Sequence, residues 1–215
     1  MTTDKIKKSC RLYLITPPQI QLSTFKDDLA AALDSGDVAC VQLRLKNASR
    51  DEILQAADVL APVAQERGVA FIMNDDPKIA IESGCDGVHI GQDDTSYEDA
   101  RNLLGYEAII GVTCHDMRYL ATEAADKGAN YVAFGAFFPT FTKNTGSKPE
   151  IEVIEIWSTT TIVPCVAIGG ITEQNCPPLI QAGADFLAVI SAVWGNQTGP
   201  ATAVKAFNQI IHDNT

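Results

Sequence analysis

Gly84-Cys85-Asp86-Gly87-Val88-His89-Ile90-Gly91-Gln92-Asp93-Asp94 carries the pattern on which the fold is read. A glycine ends a helix, where its tolerance of positive φ is useful. A small or acidic residue then leads into a short apolar run, and polar groups close that run. The same order returns at Gly36-Asp37-Val38, Gly128-Ala129-Asn130 and Gly183-Ala184-Asp185. The four glycines are separated by 48, 44 and 55 residues. That spacing fits two βα units per step, so the copies lead into strands two, four, six and eight. Eight βα units imply a single-domain (β/α)8 TIM barrel spanning residues 1–215, with its active site at the carboxyl-terminal rim of the strands.

Working outward, short apolar runs alternate with helical patterns along the whole chain. Strands are predicted at Leu12–Thr16, Cys40–Leu43, Val69–Asn74, Gly87–Ile90, Ile109–Val112, Tyr131–Phe134, Pro164–Ile168 and Phe186–Ile190. Helices are predicted near 24–35, 50–66, 77–83, 97–104, 116–127, 150–157, 173–182 and 200–211. Ser49 stands three before Glu52 as a capping box, and Thr172 is expected to open the helix at Glu173. The strands are almost continuously apolar, which suits parallel strands covered on both faces. An open doubly wound sheet is the rival architecture. The count of eight and the lack of a Gly-rich dinucleotide turn disfavour it.

The bulk properties are those of an ordinary soluble globule: 215 residues, 46% apolar, 20% charged, net charge −11. Acidity without a basic tract argues against nucleic acid or an anionic membrane as partner. Met1 to Lys8 is polar and basic, with no following apolar stretch of signal-peptide length. No run approaches the roughly 20 apolar residues that span a bilayer. None of the six cysteines is paired as Cys-x-x-Cys, so reduced, mostly buried thiols in a cytoplasmic protein are expected. A homo-oligomer is compatible with all of this.

In a barrel, the polar groups that follow the strands collect at one rim. Gln42, Arg44 and Lys46 lie at i, i+2 and i+4, one face of an extended strand. Two cations there call for an anion. Asn74 and Asp75 follow the third strand and Asp94 the fourth. Mg²⁺ needs only one or two carboxylates beside phosphate oxygens and water. Each aspartate has another reading as a helix cap, Asp75 for the helix at Pro77 and Asp94 for the helix at Tyr97. Asp76 and Asp93 are weaker candidates. His89 reads as a structural histidine inside the barrel or as a contact to a substrate ring. Thr113 either meets a phosphate or begins a turn. Thr140, Thr142 and Lys143 sit in the longest non-periodic stretch, 139–149, of the kind from which lids are drawn. Gly169-Gly170 and Ile190-Ser191 end strands seven and eight, where many barrels bind phosphate.

Taken together, these segments closely resemble the thiamine phosphate synthase family from about Leu12 to Trp194. The motifs that carry the resemblance are Gln42-Leu43-Arg44-Leu45-Lys46, Asn74-Asp75, Gly87 to Asp94, Gly111-Val112-Thr113, Pro139-Thr140-Phe141-Thr142-Lys143, Ala167-Ile168-Gly169-Gly170-Ile171-Thr172 and Ile190-Ser191. The resemblance implies coupling of hydroxymethylpyrimidine diphosphate to a thiazole phosphate, giving thiamine phosphate and diphosphate. It implies that Arg44, Lys46, Asn74, Thr113 and Lys143 hold the pyrimidine diphosphate, and that Asp75 and Asp94 bind Mg²⁺. Thr140, Thr142, Gly170, Ile190 and Ser191 would hold the thiazole phosphate. Gln42, Leu43, Leu45 and Phe141 fall within the same substrate-binding motifs. The implied reaction is dissociative: diphosphate leaves, and the thiazole nitrogen captures a pyrimidinylmethyl cation. Thr113 stands where the family commonly has Ser, and Leu45 fills a position that is often acidic. A thiazole tautomerase-like barrel, or a non-catalytic paralogue binding thiamine intermediates, are the alternatives. Each would be marked by loss of a cation or carboxylate, and none is lost here.

Overall fold

The computed structural model describes residues 9–140 and 148–215. Eight parallel strands close on themselves in chain order, each hydrogen-bonded to its sequence neighbours and the last to the first. They are β1 (Arg11–Ile15), β2 (Val38–Leu43), β3 (Ala70–Asn74), β4 (Gly87–Ile90), β5 (Ile109–His115), β6 (Tyr131–Phe134), β7 (Cys165–Ile168) and β8 (Phe186–Val189). Outside them lie α1 (Leu22–Leu33), α2 (Arg50–Gln65), α3 (Pro77–Glu82), α4 (Tyr97–Leu104), α5 (Arg118–Lys127), α6 (Glu152–Thr160), α7 (Pro177–Gln181), α8 (Ser191–Trp194) and α9 (Pro200–Asn214). No helix among the described residues is long and apolar enough to cross a membrane.

The continuously apolar strands serve two cores at once. Alternate residues such as Tyr13, Cys40, Ile72, Tyr131, Val166 and Ala188 fill the barrel interior. Their neighbours Leu12, Leu14, Val41, Leu43, Phe71 and Met73 belong to the larger core between barrel and helices. A strand buried on both faces has no polar side to show.

The repeat seen in the sequence has a hydrogen-bonding purpose. Asp86 accepts from the Phe71 backbone N–H at 2.7 Å, Asn130 from Ile110 at 2.9 Å, and Asp185 from Cys165 at 2.9 Å. Each side chain leading into an even strand therefore ties down the start of the odd strand before it. Asp37 departs from the rule and binds the Arg11 guanidinium through two short contacts. Gly84, Gly128 and Gly183 adopt positive φ as expected. Gly36 does not; a Cβ there would lie 2.7 Å from the Asn208 amide on α9, so close approach is its reason.

Some predicted boundaries shift. The capping box of Ser49 and Glu52 is present. The helix expected at 173–182 starts only at Pro177, because residues 172–176 form a turn in which Asn175 and Cys176 both donate to the Thr172 carbonyl. Thr172 is not its cap. Strand β2 begins earlier, at Val38, and β5 runs on to His115. The six cysteines are free thiols, five of them buried and Cys85 half-buried.

Candidate active site at the carboxyl-terminal rim

A cavity of about 590 Å³ opens at the carboxyl ends of the strands. Every strand or the loop after it contributes lining. Of the residues expected from sequence, Gln42, Arg44, Asn74, Asp75, Asp94, Thr113, Thr140, Gly170, Ile190 and Ser191 are brought together there. Phe141, Thr142 and Lys143 lie outside the described residues.

The row Gln42, Arg44 and Lys46 does not survive as one face. Strand β2 ends at Leu43, and the chain then turns outward, with the Lys46 N–H donating to the Pro18 carbonyl and Asn47 at φ 62°. Gln42 points into the barrel and is buried, while Lys46 is exposed and does not line the cavity. Leu43 is also corrected: it is 1% exposed and its side chain packs toward the helices. Leu45 likewise packs on that outer core. Arg44 is held at the rim by its backbone. Its N–H donates to the Thr16 hydroxyl at 2.9 Å, and that hydroxyl donates back to the Arg44 carbonyl at 3.3 Å. Among the described residues its guanidinium has no carboxylate partner. It stands at the cavity as a cation with room for an anion.

The two aspartates are not helix caps. Asp76, not Asp75, accepts from the N–H groups of Lys78 and Ile79 at the start of α3. Ser96, not Asp94, caps α4 by accepting from Asp99. Asp75 instead follows β3 with its N–H on the His89 carbonyl and φ at 65°, uncommon for a residue with a side chain. Asp94 folds back so that one carboxylate oxygen accepts from the Gly91 N–H at 2.7 Å. Both also face an adjoining recess of about 660 Å³ beside α3 and α4, so they stand on the boundary between two spaces. No cluster of three or more His, Cys, Asp or Glu able to hold a metal occurs among the described residues. A two-carboxylate donor set of this kind suits a hard cation whose shell is completed by phosphate and water, and suits zinc poorly.

Opposite, Gly169 and Gly170 at the end of β7 have φ of 101° and 63°. A Cβ on Gly170 would lie 2.4 Å from the Pro139 carbonyl oxygen, so the β6 loop crosses it at a distance only glycine allows. Asn175 donates to the Gly170 carbonyl at 2.9 Å, which leaves this turn anchored from behind. Ser191 opens α8, and Trp194 of that helix donates its indole N–H to the Ile15 carbonyl at 2.7 Å.

Beneath Thr113, the barrel interior is polar in one line. His89 contacts the Thr113 hydroxyl through Nε2 at 2.7 Å and the Tyr131 hydroxyl through Nδ1 at 3.0 Å. Its ring stacks on Tyr131. His89 is thus held structurally, as one reading expected, and it also lines the cavity. Sequence reasoning missed His115, Asp116 and Met117, which line the cavity after β5. The available signal was their place just after Thr113, at the end of a strand predicted too short.

The model of the family described as thiamine monophosphate synthase matches residues 12–193. The chain is 58% identical to the thiamine-phosphate synthase of Rhodospirillum centenum, across 94% of this chain and 98% of that protein. It is 50% identical to the thiamine-phosphate synthase of Hyphomonas neptunium, across 94% and 93%. The thiamine phosphate pyrophosphorylase structure from Pyrococcus furiosus superposes with a TM-score of 0.83 at 29% identity, across 96% and 98%.

Proposed function

Because the chain belongs to the thiamine monophosphate synthase family and is a transferase of that kind, we propose how its rim divides the work of joining hydroxymethylpyrimidine diphosphate to a thiazole phosphate. Two groups of rim residues face one cavity from opposite sides, and that observation carries the proposal. Arg44, Asp75 and Asp94 lie on the β2–β4 side, and Gly169-Gly170 with Ser191 on the β7–β8 side. Arg44, Asn74 and Thr113, joined by Lys143, hold the pyrimidine diphosphate, and Lys46, exposed outside the cavity, is left out of this set. Gly170, Ile190 and Ser191, with Thr140 and Thr142, hold the thiazole phosphate. Asp75 and Asp94 hold Mg²⁺, which when bound neutralises charge developing on the leaving diphosphate.

The bond from the pyrimidine methylene carbon to diphosphate oxygen breaks, and its electron pair leaves with the diphosphate. The thiazole nitrogen lone pair then forms the new carbon–nitrogen bond. Arg44 acts where negative charge develops, which is where a fixed cation lowers the barrier. The residues of the glycine turn orient the second substrate so that its nitrogen faces the methylene. No proton is removed in this scheme. The proposed setting is the cytoplasm, where free thiols stay reduced, with residues 1–215 working as one barrel domain.

A coupling assay with both purified substrates and Mg²⁺ tests this reading. Asp75→Asn and Asp94→Asn should each lower kcat on the order of 100-fold, as loss of a charge-stabilising group does, with an unchanged thermal midpoint. Full turnover in excess chelator, or in either variant, rules out the metal assignment.

A further inference from the structure

Five side chains from five strands form one continuous hydrogen-bonded line through the barrel. Gln42 Nε2 donates to the Tyr13 hydroxyl at 2.9 Å. The Tyr13 and Tyr131 hydroxyls are 2.8 Å apart, and Tyr131 reaches His89 Nδ1 at 3.0 Å. His89 Nε2 then reaches the Thr113 hydroxyl at 2.7 Å, at the floor of the cavity. We propose that this line fixes the direction of every proton in it, so that His89 is the neutral Nε2–H tautomer and Thr113 turns its hydroxyl proton into the cavity toward an anionic oxygen.

The argument is one of satisfying each buried group. Tyr13 is 2% exposed and Tyr131 is 6% exposed, so neither hydroxyl can leave its proton without an acceptor at low cost. Tyr13 already accepts from an amide N–H of Gln42, which cannot accept in return. Its own proton therefore goes to Tyr131. Tyr131, with Tyr13 as donor, must give its proton to His89 Nδ1. A neutral imidazole that accepts at Nδ1 carries its proton at Nε2. His89 consequently donates to Thr113, whose oxygen lone pair is engaged and whose proton points away, into the cavity.

The reverse order is sterically just as feasible. A Gln42 amide turned to present its oxygen would reverse each link, and Thr113 would then show a lone pair to the cavity. An anion would be repelled there. The placement of Gln42 Nε2 against Tyr13 chooses the orientation that attracts one. Burial raises both phenols well above their ordinary range, which keeps their protons in place at neutral pH. Gly111 is part of the device. A Cβ there would lie 1.9 Å from the Tyr131 ring, so the ring can cross the barrel only over a glycine. Gln42, Tyr13, Tyr131 and His89 are positioning residues acting through Thr113. That the anionic oxygen belongs to the diphosphate rests on the function proposed above.

Long-range ¹H–¹⁵N spectra of ¹⁵N-histidine-labelled protein at neutral pH, with His89 assigned by loss of its signals in His89→Asn, test the relay without substrate. The expected result is one tautomer, protonated at Nε2. Tyr131→Phe should convert it to a mixture and lower kcat about tenfold, a loss of about 1.4 kcal/mol of transition-state stabilisation, with KM for thiazole phosphate unchanged. Should Tyr131→Phe fail to fold, Tyr13→Phe carries the complementary expectation: the Tyr131 proton then has only His89 Nδ1 as acceptor, so the Nε2–H tautomer should persist. Thr113→Val should lose turnover and Thr113→Ser should restore it. A wild-type His89 protonated at Nδ1 or at both nitrogens overturns the proposal, as does a tautomer unmoved in Tyr131→Phe or reversed in Tyr13→Phe. An Nε2–H tautomer in a protein without coupling activity would instead leave the relay standing and remove the functional reading.

Discussion

Gly111 shows how one missing side chain sets the interior of this barrel. It lies on β5 two residues before Thr113, facing inward, and the Tyr131 ring occupies the space a methyl group would need. Gly111→Ala must therefore displace the ring or the strand. Overpacking of a filled core costs about 1–3 kcal/mol, and here the displaced ring also carries the hydroxyl that meets His89. The expected outcome is a lower denaturation midpoint by about that energy together with reduced turnover. Val132→Ala, on the neighbouring outward-facing position of β6, should destabilise comparably through a cavity while turnover at saturation is retained. Equal loss of turnover in both variants would mean that stability alone, and not the position of Tyr131, limits the reaction.

At the level of elements, the unit that repeats is a pair of strands joined by a side-chain clamp at the amino-terminal end of the barrel. Asp185 holds the N–H of Cys165, a residue with no exposed surface, and its own N–H donates to the Cys165 carbonyl. Removing the acceptor leaves a buried donor unmet, at a cost of about 1–3 kcal/mol. Asp185→Ala should therefore lower the unfolding free energy by about that much and spare kcat, since the clamp lies at the end opposite the cavity. Asp185→Asn keeps an acceptor oxygen, as Asn130 does in the same role on Ile110, and should be close to neutral. A destabilisation by Asn equal to that by Ala would show that the charge, not the hydrogen bond, matters. The measurement is equilibrium denaturation of the two variants beside the wild type.

Across the whole molecule, burial of ionisable groups makes stability depend on alkaline pH. Desolvation pushes the thiols of Cys10, Cys114 and Cys165 from an ordinary 9.0 up to about 12. The folded chain keeps these protons where the unfolded chain has released them. Their contribution is complete below pH 9 and is lost as pH rises from there toward 12. Tyr13 and Tyr131, raised by the same burial, add to the loss once the unfolded phenols titrate. Denaturation midpoints measured between about pH 8 and pH 11 should fall steadily, and a Cys10→Ala, Cys165→Ala double variant should fall less steeply. A flat profile would contradict the raised thiols.

The order of elements, the closed eight-stranded barrel and the rim location were legible in the sequence. They depend on local signals: runs apolar on both faces, glycines after helices, and small or acidic residues before alternate strands. The same signals named Arg44, Asp75, Asp94, Thr113 and Gly170 as rim groups, because residues just past a parallel strand have one place to go. Only the tertiary structure decided that Lys46 leaves the row begun by Gln42 and Arg44, since the strand ends where Pro18 and Asn47 take up the chain. It alone freed Asp75 and Asp94 from capping, by giving that role to Asp76 and Ser96. It alone joined Gln42, Tyr13, Tyr131, His89 and Thr113, up to 118 residues apart along the chain, into one line. Periodicity reports which face a side chain takes, but a hydrogen bond across a barrel depends on which faces meet, and closure of the sheet settles that.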